Sequence, residues 1–321
     1  MAGTITHLVI ADRILANLPP EIRRRIKNLS LYYCGNLAPD AVMARKGYVR
    51  EMKKHTHFKD GIPEDELSVE ENFKLYRGRL EAFAKRFLTE ENPYFELYFG
   101  YVTHMLADEI FILTLRDRHV KELQSMQANP DYEKYFIRFG KDVDINDWRL
   151  LKEYKFSCDI LEMIQRENDY EIKDMITNEE LIKSKTFIIN KNFLSEHKEE
   201  TPVVLSYEEN KAYIERAVEQ ITSALSQRSL VVTRDSSSSS AICKLPSPIS
   251  SVLWSAISPH MPSIRLAVTA ASTGVRGTEA AAGRKLAVST FSIHPVPVIR
   301  ASLRVPFFMR KTRVPSDIRS V

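Results

Sequence analysis

The chain has 321 residues, enough for one large domain or two modest ones, and its 44% hydrophobic and 27% charged residues are ordinary for a globular protein. Three widely spaced cysteines, Cys34, Cys158 and Cys243, imply neither a disulfide framework nor a CxxC zinc site, and they suit a reducing compartment. The net charge of +4 is uneven: residues 1–228 carry 34 Lys+Arg against 39 Asp+Glu, and the remainder 12 against 3, so the basic excess is no nucleic-acid signal for the first part.

The N-terminal stretch has no basic region ahead of its apolar residues, and Asp12 and Arg13 interrupt the run, so it does not read as a secretory signal. No run of 18 apolar residues suggests a transmembrane helix, and the expected location is the cytoplasm. Thr4 to Leu18 reads as a helix ended by Pro19 and Pro20, with His7 in its first turn. Residues 21–29 read as a short basic helix. Gly35, Asn36 and Pro39 mark a turn, and Pro39–Asp40 reads as the opening of a further helix.

Residues 41–61 are polar and loop-like and carry His55 and His57. Ser68 and Glu71 have capping-box spacing ahead of an amphipathic helix from Val69 to about Leu88. Asn92–Pro93 opens the next segment, which runs to His119 and is apolar on most sides, as expected of a helix passing through a core. His104 and Asp108, four residues apart, share one of its faces. Helices are also expected over 146–164, over 178–189, and from a second capping box at Ser206 and Glu209 to about Gln227. The fold class is all-α, a multi-helix bundle.

After Ser229 the composition shifts to Ser, Pro, Val and Arg, with nine Arg to three Lys. Residues 229–321 read either as a disordered basic tail or as out-of-frame translation appended to a domain spanning 1–228, and the abruptness favours the second.

Six histidines precede that shift: His7, His55, His57, His104, His119 and His197. A buried ionisable pair such as His104 and Asp108 is costly unless something binds it, and imidazole nitrogen with carboxylate oxygen is a zinc-ligand chemistry. The same pair also fits a simple hydrogen bond. His119 and His197 read as surface residues.

In order, the chain presents Thr6-His7-Leu8, Pro39-Asp40, Thr56-His57-Phe58, and His104-xxx-Asp108 on an apolar helix. This series resembles the zinc-dependent phospholipase C family, whose superfamily includes zinc-dependent single-strand nucleases. The resemblance implies an all-helical bundle around up to three zinc ions that hydrolyses phosphate esters with metal-activated water. It implies that Asp40, His57, His104 and Asp108 hold one ion, that His7 belongs to a neighbouring ion, and that Asp108 bridges the two. Asp40 is also the residue implied to orient or deprotonate the attacking water, and His57 is preferred to His55 because it directly precedes Phe58.

The family's remaining zinc uses a histidine six residues past the aspartate, where this chain has Thr114. One or two ions are therefore expected rather than three. The family's secreted members also use their mature N-terminal amine as a ligand; removal of Met1 would leave Ala2 five residues before His7. The implied partner is a phosphate-ester small molecule or a phospholipid head group. Two other readings stand beside this one, a non-catalytic metal-binding helical protein with a structural or sensing role, and a helical interaction module with incidental histidines.

Overall fold

The computed structural model describes residues 2–89, 91–125, 132–166 and 170–234. Among these the secondary structure is helical, with one isolated bridge between Ile172 and Ile176. The centre is α6 (Phe95–Phe111), in which every residue except Leu106 is buried. Its pattern has no polar stripe, so it cannot lie on a surface. Leu97, Tyr101 and Met105 join one apolar core, while Phe95, Phe99, Ala107 and Phe111 join another. Surrounding tyrosines donate hydroxyls to its carbonyls, Tyr76 to Met105 at 2.9 Å and Tyr213 to Ala107 at 3.0 Å.

The closest neighbour of α6 is α3 (Leu29–Leu37), whose N-terminus is capped by Asn28 accepting from the Leu31 amide at 3.1 Å. The two helices touch backbone to backbone at Gly35 and Gly100. A Cβ on Gly35 would run into the Leu97 carbonyl oxygen, and one on Gly100 into that of Tyr32. α1 (Thr4–Asn17) lies against α3 and α6, and its N-cap residue is Gly3, which has no side chain to cap with. Asp147, on α8 (Tyr132–Glu153), does so instead, accepting from the Ile5 and Thr6 amides at 2.8 and 2.9 Å and from the Thr6 hydroxyl at 2.8 Å.

α3 runs directly into a 3₁₀ helix over Ala38–Ala44, with Pro39 in its opening turn as expected. Residues 41–61 are not simply a loop, because this 3₁₀ helix reaches Ala44 and α4 spans Met52–Thr56. Of the basic helix expected over 21–29 only α2 (Pro20–Arg23) forms, since Asn28 is used as the cap of α3.

α5 (Glu70–Phe87) forms, but without the expected capping box: Val69 is its N-cap, and no side-chain hydrogen bond caps it. Asn92 caps a turn rather than a helix, accepting from the Tyr94 amide at 3.0 Å. The 92–119 segment is three pieces: α6, a π-helical segment over Ile112–Arg116, and α7 (Asp117–Ser125).

The single helix expected over 146–164 divides into α8 and α9 (Ile160–Arg166). Between them the chain is pinned to the buried Asp12, which accepts from the Tyr154 hydroxyl at 2.7 Å and the Ser157 amide at 3.2 Å. α10 (Asn178–Ile188) carries a Thr177–Glu180 capping box that sequence reading passed over. The Ser206–Glu209 box forms as expected and opens α11 (Tyr207–Arg234), which continues past Gln227. No helix is long and apolar enough to cross a membrane among the described residues. The reading of residues 229–321 as a tail falls, beyond Arg234, outside the described residues.

Candidate metal centre

Four separate pieces of chain bring His7, Asp40, His57, His104 and Asp108 to one place. α1 supplies His7, the 3₁₀ helix Asp40, the end of α4 His57, and α6 both His104 and Asp108. Asp108 is the hub. Its Oδ1 lies 3.3 Å from His7 Nε2, and its Oδ2 lies 3.6 Å from His57 Nε2 and 3.8 Å from His104 Nε2. Asp40 Oδ1 is 3.2 Å from His57 Nε2. The His7 and His104 rings stack at 3.8 Å, and the His57 ring meets His104 edge-on. The three imidazoles and Asp108 are 1% exposed, whereas Asp40 is 24% exposed.

Two of the imidazoles are locked by backbone carbonyls. His104 Nδ1–H donates to the Asn36 carbonyl at 2.7 Å, and His57 Nδ1–H to that of Lys53 at 3.0 Å. A carbonyl can only accept, so the proton sits on Nδ1 and each Nε2 turns a lone pair inward. Such carbonyl support is how metal-binding histidines are oriented elsewhere. The inward atoms His57 Nε2, His104 Nε2, both nitrogens of His7, Asp40 Oδ1 and Asp108 Oδ2 have no hydrogen-bond partner. Lone pairs of imidazole facing carboxylate oxygens in a buried space repel one another, and a shared cation removes that cost.

The electrostatics agree with the geometry. Burial pushes His57 below its ordinary range and His104 down to about 3, so both are uncharged at neutral pH. Burial alone would raise Asp40 and Asp108. Lys53 foremost outweighs it at Asp40, and His7 at Asp108, and both carboxyls are held well below their usual range. Neutral imidazoles and ionised carboxylates are the protonation state in which a divalent cation is bound.

Two groups have ligand spacing, His7–His104–Asp108 and Asp40–His57–His104. They share His104, whose Nδ1 is already committed to Asn36, and its single remaining nitrogen can serve one ion. Asp108 has no such limit, since its two oxygens face different partners. These residues fit a divalent metal.

The turn after His57 is held by force. Phe58 has φ +56, a left-handed conformation that favours glycine, and this closes α4 with the Lys59 amide donating to the Lys54 carbonyl at 2.7 Å. Its ring packs on Phe83 and Tyr101, and Arg79 donates to the Phe58 carbonyl at 3.1 Å. The strained turn is what aims His57 inward. His55, two residues earlier, points to solvent and pairs with Asp60 at 2.7 Å.

At the position of the family's missing ligand, the Thr114 hydroxyl donates to the Ile110 carbonyl within its own helix at 2.6 Å, and Glu109 is taken by Arg77. His119, read as a surface residue, is buried, with Nδ1 2.9 Å from the Tyr135 hydroxyl and its ring against Phe139. His197 is half-buried and stacks on Trp148. Sequence reading passed over Lys53, whose Nζ is 2.6 Å from Asp40 Oδ1. Its position four residues before His57 was the available signal.

The five residues lie within the stretch matched by the family model for zinc-dependent phospholipase C, residues 6–203. Comparison with curated proteins and with solved structures found no match. With close to two thirds of its length covered by that model and an all-helical fold around a buried His/Asp cluster, the chain belongs to the zinc-dependent phospholipase C family.

Proposed function

We propose that the protein is a zinc-dependent hydrolase of phosphate esters, with Asp40, His57, His104 and Asp108 holding one ion and His7 with Asp108 holding a second. The observation that carries this reading is the set of buried Nε2 atoms converging on Asp108 without a hydrogen bond, two of them aimed by backbone carbonyls. The division between ions is the one the family resemblance implies, and it is supported by His104 having one free nitrogen, which serves one ion, and Asp108 two oxygens, which serve two. Bound zinc supplies Lewis acidity, lowering the pKa of water and offsetting charge on phosphate oxygens. The Ala2 main-chain nitrogen is 3.3 Å from Asp108 Oδ1, so an amine exposed there by removal of Met1 would join His7 at the second ion.

Asp40 acts on the water. Its carboxyl is ionised and, alone among the five, partly open to solvent, so it can accept a proton from water at the mouth of the site. Asn36 and Lys53 keep the His104 and His57 rings from turning, which holds the acceptor atoms in place through the reaction. The family's namesake substrate is a phospholipid, and a small phosphodiester shares the reacting group.

The test is zinc content by plasma mass spectrometry and hydrolysis of a chromogenic phosphodiester and of phosphatidylcholine vesicles, for wild type and His104→Ala. One or two zinc ions per chain is expected, with at least one equivalent of zinc lost and turnover lowered by more than about 100-fold in the variant. Zinc bound without turnover of any ester would leave the non-catalytic metal-binding reading. No zinc in the folded wild type would end both.

A further inference from the structure

One lysine stands against the metal centre, and a second follows His57 closely in the chain. The Lys53 side chain is 14% exposed, and its ammonium touches Asp40 Oδ1 while lying off the hydrogen-bonding direction, so that oxygen still lacks a donor. Lys59, two residues past His57, is half-buried, and its amide closes the turn that holds that histidine, donating to the Lys54 carbonyl at 2.7 Å. Other acids nearby are already engaged, Glu109 by Arg77, and Glu64 and Asp65 by Arg116. The Lys53 ammonium thus stands against Asp40, and with Lys59 close by in the chain the charges of two lysines offset those of the two carboxylates before a divalent ion enters.

An ion that takes Asp40 and Asp108 changes that balance. The carboxylates are then shared with the metal, and Lys53 is left with a cation beside it in a space poor in water. The charge surplus is relieved by an anion, and a phosphodiester or phosphomonoester brings one. Lysine suits such a change of partner, being a compact charge on a flexible four-carbon stem with three donors.

We infer that Lys53, with Lys59 beside it, binds the anionic phosphate of the substrate once a metal ion has taken Asp40, and so selects phosphate esters over neutral esters. This rests on the metal reading above. In that role Lys53 has two parts: its carbonyl holds His57, and its ammonium passes from Asp40 to phosphate.

The experiment is calorimetric titration of the full-length, zinc-loaded protein with inorganic phosphate, for wild type, Lys53→Met, Lys53→Arg and Lys59→Met, beside zinc titration of each metal-free form. Lys53→Met is expected to bind phosphate about tenfold or more weakly, the loss of one charge-assisted hydrogen bond, with zinc stoichiometry unchanged and the last zinc bound no more weakly than in wild type. Lys53→Arg should keep most of the affinity. Lys59→Met should lose part of it, and carries the test if Lys53→Met does not fold. Unchanged phosphate affinity in a folded, zinc-loaded Lys53→Met would overturn the inference and leave the metal reading intact. Loss of zinc from that variant would also overturn it, making Lys53 a support for Asp40 alone. A wild type that takes up no zinc would remove the metal reading, and this inference with it.

Discussion

His55 and His57 are two residues apart and chemically identical, yet one pairs with Asp60 in solvent and the other lies 1% exposed between Asp40 and Asp108. The difference is made by the turn at Phe58 and by the carbonyl of Lys53, which together leave His57 only one direction to face. A paired substitution separates their roles. His55→Ala should leave zinc content and melting temperature near wild type, because an exposed ion pair contributes little. His57→Ala should lower zinc occupancy by at least one equivalent and remove phosphodiester turnover. Equal zinc loss in both variants would sink the assignment. The motif alone could rank the two only by which one precedes phenylalanine; the turn that separates them is held by Tyr101 and Phe83 packed on Phe58, more than twenty residues away in sequence.

At the scale of helices, the centre depends on how closely α3 and α6 approach. His104 reaches the Asn36 carbonyl because Gly35 and Gly100 let the two backbones meet. Gly100→Ala puts a methyl into the Tyr32 carbonyl, and overpacking of this kind costs about 1–3 kcal/mol. The expected result is a lower urea midpoint together with weaker zinc binding, since parting the helices releases the His104 ring. Weaker folding with unchanged zinc affinity would show that the glycine contact and the site are independent.

α1 is fixed by a different device. Asp147 caps its N-terminus from α8 and so positions His7, and burial raises its carboxyl to about 6. A folded pKa above the unfolded value near 3.9 means that the folded state holds the proton more tightly. The resulting stability is present below about pH 4 and lost as pH rises through 6, a change on the order of 3 kcal/mol. Melting of wild type should therefore fall more steeply from pH 4.5 to 7 than that of Asp147→Asn. Parallel curves would refute the raised pKa.

Across the whole molecule, the His/Asp cluster ties α1, α3 with its 3₁₀ extension, α4 and α6 to one another at a single point. Without a cation that point holds repelling lone pairs, so zinc should act as a folding ligand. At free zinc a thousand times its Kd the gain is about 4 kcal/mol, which for a fold of this size raises Tm by roughly 8–16 °C. Differential scanning calorimetry with zinc and then with a chelator measures it directly. A Tm insensitive to both would mean that the cluster is not a binding site in the folded protein.

The sequence by itself determined the helical class, the all-round burial of α6, the shared face of His104 and Asp108, and the order of the residues that resemble the family. Each of these rests on local facts: a 3.6-residue period, the absence of a polar stripe, and residue types at short spacing. Tertiary structure decided the rest. It buried His57 and left His55 in solvent, buried His119, transferred the cap of α1 from Gly3 to Asp147, broke the 146–164 helix at the contacts with Asp12, and placed Lys53 on Asp40. The reason is the same in each case. Those outcomes turn on hydrogen bonds and burial between segments far apart in the chain, where a short window of sequence carries no information about which carbonyl, carboxylate or ring will stand opposite.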